Sequence, residues 1–74
     1  MNKAIDYLKR ELEVELIEDG FFYSIFESDK YRVKLIFRDR TFRKDSYKIY
    51  INDYYVKFTK WKDLYEIVDN FKNN

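Results

Sequence analysis

The chain contains no cysteine, no histidine and no proline, and Gly20 is its single glycine. Each absence excludes something. Without cysteine there are no disulfides, and without cysteine or histidine the usual zinc, haem and iron–sulfur sites are gone. The side chain that most often moves protons near neutral pH is also missing. Ser24, Ser28 and Ser46 have no histidine to activate them, and none sits in a Gly-x-Ser-x-Gly elbow. One glycine cannot build a glycine-rich phosphate loop. What remains for catalysis is a positioned pair of carboxylates, acting on a glycoside or through Mg²⁺. The acids Glu13, Glu15, Glu18, Asp19, Asp63, Glu66 and Asp69 are instead spread along a hairpin edge and helix faces, where solvated surface is their expected role. The sequence therefore reads as a non-enzyme that needs no metal and no cofactor.

Long apolar runs are absent as well. No stretch of eighteen apolar residues exists to span a membrane. The start, Met1-Asn2-Lys3-Ala4-Ile5-Asp6, lacks the apolar stretch of a signal peptide. With no cysteine to oxidise, the expected compartment is the cytoplasm and no membrane partner is expected.

What is present fits one small domain, residues 1–74. A chain of this size buries only about 60–65% of the surface its unfolded form exposes. Its sixteen aromatic residues, eight of them Tyr, are the main core material, and some Tyr must stay outside for lack of interior. The net charge of +1 hides an asymmetry: residues 1–29 sum to −5, residues 30–62 to +8 and residues 63–74 to −2. Blocks of this kind mark a polyanion-binding surface, or acidic and basic elements lying side by side.

Residues 3–12 read as a helix, with Ile5, Leu8 and Leu12 at helical spacing. Val14 and Leu16 then alternate with acids, which predicts a strand; a helix running on to Glu18 is the competing reading. Glu18-Asp19-Gly20-Phe21 predicts a two-residue hairpin turn at Asp19-Gly20. That turn sets Leu16 opposite Tyr23 and Val14 opposite Ile25, and puts Ile17, Phe22, Ser24 and Phe26 on the other side. Residues 21–28 form the second strand and Ser28-Asp29-Lys30 the next turn. Residues 31–38 alternate, with Tyr31, Val33, Leu35 and Phe37 on one face and Arg32, Lys34, Ile36 and Arg38 on the other. Residues 47–51 turn Tyr47, Ile49 and Ile51 inward, Asn52-Asp53 makes a tight turn or kink, and residues 54–58 form a last strand. Thr59 is the expected N-cap of a second helix with a stripe of Trp61, Leu64, Ile67, Val68 and Phe71. The predicted class is α+β: an antiparallel sheet of four to five strands, flanked by an N-terminal and a C-terminal helix on one face.

Two segments carry the candidate partner-binding residues. On the strands, Arg32, Lys34 and Arg38 point the same way, as do Lys48 and Tyr50, then Tyr55 and Lys57. If the strands pair in sequence order, one face interleaves cations with Tyr. Cations neutralise phosphates and rings stack on unpaired bases, so this pattern suits single-stranded nucleic acid; a merely solvated sheet face carries the same residue types. In the following loop, residues 39–46, Arg40, Arg43 and Lys44 surround Phe42, with Arg38 just before it. An aromatic ring amid Arg suits a protein–protein anchor, or the ring folds back on the core. A third feature is the first hairpin, where exposed Ile17 and Phe22 would form a homodimer seam.

No RNP1 pattern, GXXG loop or helix-turn-helix signature occurs. Short intracellular domains rich in Tyr, Lys, Ile and Asn and without catalytic residues are common among accessory proteins of phages and mobile elements, many of which block a host protein. The expected function is accordingly a protein-binding regulator or inhibitor, with an anti-CRISPR as one fitting example, acting on a host protein or a protein–nucleic-acid complex. Direct nucleic-acid binding and self-association are the alternatives.

Overall fold

Asn2 sets the first helix. Its Oδ1 accepts from the backbone N–H groups of Ala4 at 2.9 Å and Ile5 at 3.3 Å, two of the donors that a helix start leaves without partners. The computed structural model describes residues 2–36 and 47–73. It runs through α1 (Lys3–Leu12), β1 (Glu15–Asp19), β2 (Tyr23–Glu27), β3 (Arg32–Ile36), β4 (Tyr47–Ile51), β5 (Tyr54–Phe58) and α2 (Asp63–Lys72). The strands form one antiparallel sheet in the order β1-β2-β3-β4-β5. This is the expected α+β class, at the upper of the two strand counts.

The first helix stops where expected, by an unexpected residue. Glu13 takes the left-handed conformation, φ 54° and ψ 44°, which glycine usually fills at a helix end. That turn breaks the helical path and releases residues 15–19 into a strand, so the helix does not run on to Glu18. A Cβ in this region costs about 1 kcal/mol. Glu13→Gly is therefore expected to raise stability by about 0.5–1 kcal/mol in urea unfolding. A loss of stability would show that the Glu13 backbone is not strained.

The first hairpin departs from expectation. A two-residue Asp-Gly turn needs a positive φ at the glycine, and no glycine has one. The turn is displaced: it falls at Phe21-Phe22, closed by the Gly20 N–H, which donates to the Tyr23 carbonyl at 2.7 Å. Gly20 is needed for room: an added Cβ would overlap the ring of Tyr23, whose hydroxyl donates to Glu18. The register follows from this displaced turn and from an extra residue in β1. Asp19 opposes Ser24, Glu18 opposes Ile25 and Leu16 opposes Phe26, with a bulge between Leu16 and Glu18. Leu16 does not face Tyr23 and Val14 does not face Ile25. The bulge makes the slip at Leu16 odd, and an odd slip exchanges the two faces of a strand: Phe26 enters the core and Tyr23 turns to the far side.

The second correction concerns α2. Thr59 does not cap it and the helix does not begin at Lys60. The chain makes successive short turns, with Asp63 N–H to Lys60 C=O at 2.9 Å and Leu64 N–H to Trp61 C=O at 3.0 Å, and the helix starts at Asp63 with no side-chain cap. Trp61 explains the delay. Its ring packs on Tyr47 at 4.5 Å and on Phe58 at 6.0 Å between centroids, which ties it to the sheet before the helix sets off.

Both helices lie on one face. Leu8 and Leu12 from α1 and Leu64 and Val68 from α2 pack against Val33, Leu35, Ile49 and Ile51. Each such aliphatic side chain contributes about 1.5–3 kcal/mol by leaving water. Aromatic rings hold the two ends of the second helical segment: Trp61 on Tyr47 and Phe58, and Phe71 on Tyr31 and Tyr54. The helices are joined at the surface by Lys72 to Glu11 at 2.8 Å and by the Tyr7 hydroxyl donating to Asp69 at 2.5 Å. That hydrogen bond, with the Asp69 charge beside it, pushes the Tyr7 phenol up to about 12.

Candidate anion-binding face

The face opposite the helices is built by register. Lys34 pairs with Tyr50, and Tyr50 with Tyr55, forming one row across β3, β4 and β5. The next row is Ile36, Lys48 and Lys57. Two-residue alternation keeps Val33, Leu35, Ile49 and Ile51 on the helix side and these residues on the other. No described helix covers them.

The β4–β5 connection fixes which pairs lie closest. Asn52-Asp53 is a two-residue turn, with Ile51 opposite Tyr54 and Asn52 at φ 56°. Asparagine tolerates that conformation, and here it also binds β3. Its N–H donates to the Arg32 carbonyl at 2.9 Å, and its Oδ1 accepts from the Arg32 N–H at 3.0 Å. With the Asn52 N–H turned toward β3, alternation turns the backbone groups of Ile51, Ile49 and Tyr47 toward β5. The Lys48–Lys57 and Tyr50–Tyr55 pairs are then of the non-hydrogen-bonded kind, in which side chains come closest.

The tyrosines use that proximity: their rings stand 4.7 Å apart, inclined at 34°. The lysines do not profit from it. Like charges directly opposite destabilise a sheet, by about 0.2–1 kcal/mol, and among the described residues no carboxylate pairs with Lys34, Lys48 or Lys57. Lys34 rests above the ring of Tyr23, 5.5 Å from its centroid. Arg32 differs, since Glu27 holds its guanidinium at 2.8 Å. Beside these residues lies a concavity of about 600 Å³ lined by Arg32, Lys34, Ile36, Tyr50, Asn52 and Asp53.

Six of the expected partner-binding residues therefore share one face: Arg32, Lys34, Lys48, Tyr50, Tyr55 and Lys57. Arg38, Arg40, Phe42, Arg43 and Lys44 lie outside the described residues. Tyr23 and Asn52 were missed by sequence reasoning. For Tyr23 the deciding feature was the register of the first hairpin, whose bulge and pairing with β3 set it on the outer face. For Asn52 it was the residue type itself, an asparagine at a tight turn. Among the described residues, no three of His, Cys, Asp or Glu converge as metal ligands would, and no helix is long and apolar enough to cross a membrane.

The fold and its site thus define a five-stranded antiparallel α+β domain with one helix-covered face and one basic, Tyr-bearing face. No family model, curated protein or solved structure matches this chain.

Proposed function

We propose that this chain is a non-enzymatic binding protein that holds an anionic partner on the sheet face opposite its helices, with single-stranded nucleic acid as the partner class. The observation that carries this reading is the Lys48–Lys57 pair with Lys34 in the adjoining row. Three cations gathered by register, with no carboxylate paired to them among the described residues, gain most from a ligand that brings its own negative charge. The Tyr50–Tyr55 pair, 39% and 46% exposed, adds rings on which a base stacks.

Fluorescence anisotropy with a labelled single-stranded oligonucleotide tests this. Three phosphate contacts give a log–log salt slope near −2, so a fourfold rise in salt is expected to weaken binding by about 20-fold. Absence of binding at low salt removes the reading.

A second reading keeps the face and changes the partner. The concavity beside Tyr50 is lined by Ile36 together with Arg32 and Lys34, and aromatic and Arg residues around a pocket are features of protein interfaces. On this reading the chain is a regulator or inhibitor that captures an acidic surface of a host protein, as an anti-defence protein of a phage or mobile element would. Affinity capture with the tagged chain, with and without nuclease, separates the two. Retention of one stoichiometric protein after nuclease, lost on Lys57→Glu, favours the second reading. Loss of all retention on nuclease treatment favours the first.

A further inference from the structure

Among the described strands, β1 and β5 are the two edges of the sheet, and they differ in how they meet other strands. A free edge is a row of unsatisfied N–H and C=O groups, and proteins blunt it with charge or bulges. The β1 edge has both devices. Its sequence is Glu15-Leu16-Ile17-Glu18-Asp19, and a bulge interrupts it between Leu16 and Glu18. The β5 edge, Tyr54-Tyr55-Val56-Lys57-Phe58, pairs regularly with β4 through all five residues and carries one charge.

The backbone groups that β5 leaves free follow from the pairing. Ile51, Ile49 and Tyr47 direct their groups to Tyr54, Val56 and Phe58, so Tyr55 and Lys57 turn their N–H and C=O groups outward. On the helix side a groove of about 420 Å³ separates this edge from α2, so the helix leaves the edge uncovered.

We infer that β5 pairs antiparallel with β5 of a second copy across a two-fold axis at Val56, giving a continuous ten-stranded sheet. The self-complementarity of the strand argues for this occupant. Centred on Val56, the axis sets Val56 against itself, Tyr54 against Phe58 and Tyr55 against Lys57. Tyr55 and Lys57 exchange their outward backbone bonds, and on the outer face each ring meets a cation, so no like charges oppose. Centring β1 on Ile17 instead would set Glu15 against Asp19 and Glu18 against Leu16, with two acids opposed and the bulge in the middle. The β5 pairing also joins the outer faces of the two copies, setting two Tyr50–Tyr55 pairs and two Lys48–Lys57 pairs on one surface. The inference stands on edge geometry and not on the identity of any anionic ligand.

Sedimentation equilibrium of the full chain over a range of concentrations tests it, with circular dichroism to confirm folding. The wild type is expected to show a reversible monomer–dimer equilibrium. Tyr55→Lys sets Lys against Lys57 twice across the axis and is expected to weaken the dimer by about tenfold or more. Tyr55→Glu sets a carboxylate against Lys57 and is expected to retain or tighten it. Ile17→Lys, on the other edge, is expected to leave it unchanged. A monomer at every concentration, an equal response to Lys and Glu at position 55, or dissociation by Ile17→Lys would each overturn the inference. If Tyr55→Lys fails to fold, the comparison of Tyr55→Glu with Ile17→Lys still decides it.

Discussion

Lys48→Glu is expected to make the folded protein more stable and its hold on an anionic partner weaker. The two effects have one cause. In the folded chain Lys48 stands directly opposite Lys57 on neighbouring strands. Replacing it by Glu turns a repulsive cross-strand pair into an attractive one, a gain of about 1 kcal/mol when both halves of the change are counted. The same substitution changes the local charge by two and removes one phosphate contact. Affinity at low salt is expected to fall on the order of tenfold, and the salt slope to shrink by about one. Urea unfolding and anisotropy titration measure the two quantities. Lys3→Glu, on an exposed position of α1, makes the same change in net charge and is expected to leave affinity nearly unchanged. A stability gain without loss of affinity would move the binding site away from this face. Most substitutions that damage binding by damaging the fold lower both quantities, so opposite signs identify a site residue.

Leu35→Ala is expected to cost about 3 kcal/mol and to lower the melting temperature by about 15–20 °C. Leu35 lies at the middle of the sheet, opposite Ser24 on one side and Ile49 on the other, and is fully buried beneath the helices. Removing it opens a cavity that the surrounding Leu, Ile and Val side chains fill only in part. A domain of this size has only about 3–5 kcal/mol to lose, so most of the stability goes with one side chain. Leu16→Ala is the comparison. Leu16 is 45% exposed at the β1 edge, and its loss is expected to cost within about 0.5 kcal/mol. Equal costs for the two, measured by thermal unfolding, would contradict the exposed edge position of Leu16.

Legibility in the sequence tracked how local each feature is. The alternation in residues 32–36 and 47–51 and the stripe of Leu64, Ile67, Val68 and Phe71 depend only on neighbours along the chain, and they appear in the fold as read. The charged face depended on a further assumption, that strands pair in sequence order. The order β1-β2-β3-β4-β5 satisfies it, and so Arg32, Lys34, Lys48, Tyr50, Tyr55 and Lys57 come together. What was not legible was the pairing opposite Lys48. Neither lysine is unusual on its strand; the conflict exists only once a two-residue turn at Asn52-Asp53 sets them face to face.

By itself, then, the sequence determined the order of elements, the α+β class and which residues of the central strands face the helices, because these follow from periodicity and composition. Only the tertiary structure decided the first hairpin, the start of α2 and the contacts across the outer face. In the hairpin, the ring of Tyr23 lies against Gly20 and the turn falls at Phe21-Phe22. At α2, Trp61 packs on Tyr47 and holds back the helix. Both depend on a ring meeting a residue across a turn or on another element, and a single extra residue, as in the β1 bulge, exchanges the faces of a strand.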